Sequence, residues 1–112
     1  MDIVLFGCKD TTLHIARFFH NLELDINLVT ISPEVASANN VAGYEDLTNH
    51  KTLFSSIYVT KNYSLKDKED TEAIKKLKNI DLAFCIGWQR LIPKEILNSF
   101  SFGVFGMHGS SR

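Results

Sequence analysis

Residues 3–6 (Ile3, Val4, Leu5, Phe6) are apolar without alternation and stop at Gly7, and residues 82–86 repeat the pattern and stop at Gly87. Unbroken apolarity suits strands buried on both faces, as in a parallel sheet. After the first run, Asp10, Thr11 or Thr12 is placed to cap a helix whose apolar face is Leu13, Ile15, Ala16, Phe18, Phe19 and Leu22. A second strand is predicted over 26–31, closed by Ser32 and Pro33. Strand, helix and strand together make a unit of about 30 residues, whose crossover should be right-handed. The next stretch, 34–52, carries Asn39-Asn40 and Gly43 and then a polar, helix-like run from Tyr44; the pattern predicts no firm element there. A short strand follows at 56–59. Residues 67–78 read as a helix: Asp67, Glu69 and Asp70 stand at its start and Lys75, Lys76 and Lys78 at its end, complementing the helix dipole. Its predicted buried stripe is Ala73, Ile74 and Leu77. Pro93 is well placed to open a short helix running to about Asn98, and 104–107 makes the last strand.

Strands alternating with helices predict an α/β fold: an open, Rossmann-like parallel sheet in the order 3-2-1-4-5 with helices on both faces. Nothing in the 112 residues suggests a second domain, a repeat or a linker. The chain stops at Gly109-Ser110-Ser111-Arg112, directly past a predicted strand. In open α/β sheets the ligand crevice lies outside the carboxyl ends of the strands. The chain therefore reads as a fragment ending inside a site.

Composition narrows the function classes. Lys plus Arg total 12 against 13 Asp plus Glu, a formal net charge of −1. Binding nucleic acid by phosphate neutralisation usually needs a basic excess, so that partner is not expected. No apolar run approaches the roughly 18 residues of a membrane span, and the opening apolar stretch meets Lys9 with no cleavage pattern behind it, which argues against a signal peptide. Cys8 and Cys85 have neither disulfide-framework nor zinc-site spacing and read as small buried residues in a reducing compartment. The expectation is a soluble, cytoplasmic domain.

Three predicted strand ends should meet at the crevice: Gly7-Cys8-Lys9-Asp10, Gly87-Trp88-Gln89-Arg90 and Gly106-Met107-His108-Gly109-Ser110. His108 follows a buried strand between approachable glycines, which suits a general acid or base near neutral pH. His14, His20 and His50 ride a helix or a polar loop and read as surface residues. Trp88 and Arg90 at a crevice mouth suit a planar ligand, although core packing and a surface charge explain them equally well. The first strand end lacks G-x-G-x-x-G, and no P-loop is present. Cys8, without a fixed partner, reads as packing.

The run from Asp81 through Gly87, Trp88, Gln89, Arg90, Leu91, Ile92 and Pro93 to Leu97, and Phe102-Gly103-Val104-Phe105-Gly106-Met107-His108-Gly109-Ser110 after it, resembles the N-terminal domain of the formyltransferase family. That family includes methionyl-tRNA formyltransferase, glycinamide ribonucleotide formyltransferase and the sugar N-formyltransferases. The opening strand and helix fit as well, so the resemblance spans the chain and is most specific over 81–110. Val41-Ala42-Gly43-Tyr44-Glu45-Asp46-Leu47 and Tyr63-Ser64-Leu65-Lys66 look more like the branch acting on amino sugars. The resemblance implies formyl transfer from 10-formyltetrahydrofolate, as cosubstrate, to a primary amine, with a nucleotide-linked amino sugar as the small-molecule partner. It implies that His108 is the catalytic histidine and that Gln89, Arg90, Leu91 and Ile92 form the loop holding the pterin. The family's asparagine two residues before the histidine is Gly106 here, which removes an amide expected to stabilise the oxyanion. The family's aspartate and Arg-Gly-rich loop belong beyond Arg112, so these residues alone are expected to be inactive. The alternative reading is a non-catalytic α/β ligand-binding or interaction module.

Overall fold

The computed structural model describes residues 1–77, 80, 82–100 and 103–106. Along the chain lie β1 (Asp2–Phe6), α1 (Asp10–Asn21), β2 (Asp25–Ile31), α2 (Pro33–Ala38), a 3-10 helix (Leu47–Leu53), β3 (Ser56–Thr60), α3 (Lys68–Lys75), β4 (Leu82–Cys85), α4 (Lys94–Leu97) and β5 (Gly103–Gly106). The five strands form one sheet, β3-β2-β1-β4-β5, parallel at every pairing. This is the fold class and the order that the alternating pattern predicts.

The strands alternate their side chains between two apolar layers, as the pleat requires. Ile3 and Leu5 of β1 join Ile26 and Leu28 of β2 beneath Leu13, Ala16 and Phe19 of α1 and Leu47 of the 3-10 helix. Val4, Phe6, Val29, Ile31, Ala83 and Cys85 face the other way, under Ala36 of α2, Ile74 of α3 and Ile96 of α4. Both faces are thus covered, which is why the central strands carry unbroken apolar runs. No helix among the described residues is long and apolar enough to cross a membrane.

Several local expectations are corrected. Lys9, not Asp10, Thr11 or Thr12, is the N-cap of α1, and its backbone N–H donates to the Thr12 hydroxyl at 3.2 Å. Phe18 and Leu22, expected on the buried face of α1, are more than half exposed, because only the narrower Leu13, Ala16, Phe19 stripe meets the sheet. Ser32 and Pro33 do more than close β2. The Ser32 hydroxyl accepts from the Val35 N–H at 3.2 Å and Pro33 takes the first helical position, so they open α2. The helix expected over 67–78 is shorter: α3 ends at Lys75, with Asp70, Thr71 and Ile74 buried and Ala73 half-buried, and Leu77 is half-buried in the turn beyond it. Pro93 stands at the N-cap of α4 rather than inside it.

Candidate functional site

The chain runs outward from β1 through β2 to β3 and then returns to lay β4 on the other side of β1. The direction reverses between β1 and β4, and an open parallel sheet presents its ligand crevice at such a reversal, beyond the strand carboxyl ends. A crevice of about 700 Å³ lies there. Its walls are the β1–α1 corner (Lys9, Asp10, Thr11, His14, Ile15), the Ala42-Gly43 segment and the end of β4 (Ile86, Gly87, Trp88, Gln89). Two of the three strand ends expected to meet at the crevice do so.

Local bonding explains the shape of these walls. Thr12 is fully buried, and its hydroxyl donates to the Ile86 carbonyl at 2.6 Å, locking the β1–α1 corner against β4. The Cys8 N–H donates to the Gly87 carbonyl at 3.1 Å. Gly87 itself has φ +77, and a Cβ there would run into the Thr12 hydroxyl, so the corner needs glycine twice over. The third wall is strapped on by the Asp10 N–H to the Gly43 carbonyl at 3.1 Å and the Glu45 N–H to the Cys8 carbonyl at 3.0 Å. The Tyr44 hydroxyl donates to the Ile31 carbonyl at 2.8 Å, pinning that strap to β2.

A second, more polar groove of about 510 Å³ adjoins the first and shares Gln89 with it; Asn39, Asn62, Tyr63, Ser64, Lys66, Arg90 and Leu91 line the rest. The proposed loop residues are therefore divided. Gln89 belongs to both crevices, Arg90 and Leu91 to the second, and Ile92 packs against the core beneath α3 and α4. Leu91 is 94% exposed, an apolar side chain held out at the rim.

Of the two readings open for Trp88, the structure takes core packing: its side chain is fully buried and meets Phe6 and Tyr63 edge-on with ring centroids 6.1 and 4.9 Å apart. Its indole nitrogen has no hydrogen-bond partner among the described residues, so packing holds the ring. Arg90 is exposed, as expected of a rim residue; its guanidinium lies 5.4 Å from the centre of the Tyr63 ring and donates to Asn39 Oδ1 at 3.0 Å. Cys8 and Cys85 are buried free thiols. Burial pushes Cys8 up from its ordinary range, against smaller opposing effects of the Tyr63 hydroxyl and the Lys9 charge, and pushes Cys85 up to about 11. Thiols held protonated are poor nucleophiles, which fits the packing role expected of Cys8.

Gly106 ends β5 opposite Cys85 of β4, so the two strands finish side by side. His108 lies outside the described residues, as do Met107 and Gly109. Three contributors were not anticipated. His14, read as a surface residue, is exposed but lines the main crevice, because the first turn of α1 borders it. Thr12, a capping candidate by sequence, instead bonds the end of β4. Tyr63 gave no signal beyond its place in a resemblance, since its partners at Trp88 and Gln89 are distant in sequence.

The fold is an open parallel α/β domain with a crevice at its topological reversal. No protein-family model matches the chain, and no curated protein matches it.

Proposed function

We propose that the crevice is the folate side of a formyl-transfer site, taking 10-formyltetrahydrofolate as formyl donor and a primary amine, best an amino sugar carried on a nucleotide, as acceptor. The observation that carries the reading is the crevice at the β1–β4 reversal, one wall of which ends at Gln89, the first residue of the segment that resembles the family's folate loop; Arg90 and Leu91 line the groove adjoining it. A volume of about 700 Å³ is of the size that suits a small organic ligand. Its lining mixes apolar Ile15, Ala42 and Ile86 with a few polar groups from Lys9, Asp10 and Gln89, a fit for a planar heteroaromatic ring that needs some directed hydrogen bonds. Exposed Leu91 lines the adjoining groove, where the remainder of a folate extending past Gln89 would give it an apolar partner.

In this reading the neutral amine attacks the formyl carbon and forms the new C–N bond. Collapse of the tetrahedral intermediate breaks the bond to the folate N10, which takes the proton given up by the amine. His108 manages that proton. Gly106 brings no side-chain amide to the developing oxyanion, and this favours the second reading, a module that binds ligand without catalysis.

The test is full-length protein mixed with 10-formyltetrahydrofolate and nucleotide-linked amino sugars, with formylated product read by mass spectrometry and binding by calorimetry. Product formation supports the enzyme. Saturable folate binding without product supports the module, and neither binding nor product removes the folate reading.

A further inference from the structure

Beyond Gly87 the chain leaves β4 without regular secondary structure until α4, and among the described residues its backbone is tied to the fold at few points. The Gly87 carbonyl accepts from the Cys8 N–H at 3.1 Å. Further on, the Gln89 N–H donates to the Tyr63 hydroxyl at 2.8 Å, across 26 residues of sequence. Tyr63 is built in rather than laid on: it is 4% exposed, its ring is edge-on to Trp88, and its hydroxyl lies 3.8 Å from Cys8 Sγ. The Arg90 guanidinium sits over the same ring and reaches on to Asn39 at the end of α2. One tyrosine thus touches the backbone of Gln89, the ring of Trp88 and the cation of Arg90.

We propose that Tyr63 is the positioning residue of the 89–92 loop, its hydroxyl fixing where the loop stands. Resting on the folate reading above, it thereby sets the loop's affinity for the pterin.

The segment that carries Tyr63 is itself over-determined. Buried Asp70 accepts from the Lys61 N–H at 2.9 Å, the Asn62 N–H at 3.1 Å and the Tyr58 hydroxyl at 2.7 Å, anchoring the entry to the segment on α3. Fully buried Leu65 holds φ +60, a conformation costly for a branched side chain, and its carbonyl accepts from the Thr71 hydroxyl at 3.3 Å. Strain of this kind persists only where the surroundings impose it. The surroundings here impose the placement of Tyr63.

A tyrosine that merely filled space would be replaced by phenylalanine with no consequence for Gln89, so the hydroxyl is the decisive atom. In full-length Tyr63→Phe, amide exchange at Gln89 should run about three- to tenfold faster, and tetrahydrofolate should bind more weakly by a similar factor, the size of one lost hydrogen bond. The kinetic loss should fall on KM for the folate rather than on kcat. Ser56→Ala is the control: it loses a hydroxyl bond to Asn27 Oδ1 away from the Tyr63 segment and should leave Gln89 exchange at the wild-type rate. Unchanged Gln89 exchange in Tyr63→Phe overturns the proposal, and so does faster exchange with unaltered tetrahydrofolate affinity. If wild-type protein binds no tetrahydrofolate while Gln89 exchange still accelerates, the folate reading fails and the loop assignment stands.

Discussion

On the α1 side of the sheet the buried layer is hydrocarbon: Ile3, Leu5, Leu13, Ala16, Phe19, Ile26, Leu28, Leu47 and Ile86. On the opposite side the layer also holds Cys8, Tyr63, Cys85 and Trp88, with Tyr44 and Tyr58 at its margin. Both layers reach the carboxyl edge, but differently: on the α1 side the Thr12 hydroxyl ties the β1–α1 corner to the Ile86 carbonyl, whereas on the other side the Tyr63 hydroxyl and the edge of Trp88 reach the 89–92 segment. One face thus fixes the corner at the start of α1, and the other fixes the segment that follows β4. On the α1 side the hydrocarbon residues contribute no directional bond and the single Thr12 hydroxyl supplies it; on the other side several hydroxyls and aromatic edges share that role.

The sharpest way to break this comparison is at neighbouring fully buried positions of β1 that point to opposite faces. Phe6→Ala should cost about 3–5 kcal/mol and Leu5→Ala about 2–5 kcal/mol in denaturant unfolding. Their effects on the site should differ. Phe6 contacts Trp88, the single tryptophan of the chain, so Phe6→Ala should shift the native fluorescence and Leu5→Ala should not. Equal shifts from both variants would dissolve the distinction between the faces.

A somewhat smaller effect is expected at Asp70. Asp70→Asn keeps the shape, but its amide nitrogen confronts backbone N–H groups that the carboxylate now satisfies. The expected loss is about 2–3 kcal/mol, together with faster exchange at Lys61 and Asn62. At the corner between the two faces, Gly87→Ala forces a side chain into φ +77 and against Thr12. It should cost about 1–3 kcal/mol and disturb Trp88 fluorescence more than a loop substitution far from the crevice.

The second face should also announce itself in alkali. Cys85 is pushed up to about 11, Tyr58 up to about 12, in each case first by burial, and Cys8 and Tyr63 are raised as well. A raised pKa means the fold prefers the protonated form. Its contribution is complete below the unfolded value, about 9 for a thiol, and is lost as pH climbs through the folded value. Unfolding free energy should therefore be level near neutrality and fall between about pH 9 and 11, with a shallower fall in Cys85→Ala. A fall of the same steepness in that variant would remove the thiol from the explanation.

The strands were legible because burial on both faces leaves an unbroken apolar run, as in Val4, Leu5 and Phe6, and α3 because its charges are sorted along the dipole. The helix at Pro33–Ala38 was not, since Ser32-Pro33 closes a strand and opens a helix with the same residues. At the site, Gly87 and Gln89 could be placed from a strand end alone. Tyr63 could not, because a loop tyrosine carries no periodicity and its partners come from a different strand end. Trp88 was ambiguous for a related reason: an aromatic residue after a strand-ending glycine packs inward or outward according to neighbours that only the fold assembles.

In the proposed function the 89–92 loop holds a folate while His108 acts on the formyl group. The most direct measurement is steady-state kinetics with tetrahydrofolate titration of two full-length variants, Leu91→Asp and His108→Ala. Removing the histidine should lower kcat by about 10²–10⁴ with folate affinity nearly unchanged. A charge at exposed Leu91 should weaken folate binding by about tenfold or more while leaving kcat close to wild type. The contradicting result is His108→Ala with near-normal turnover, or Leu91→Asp with undiminished folate binding.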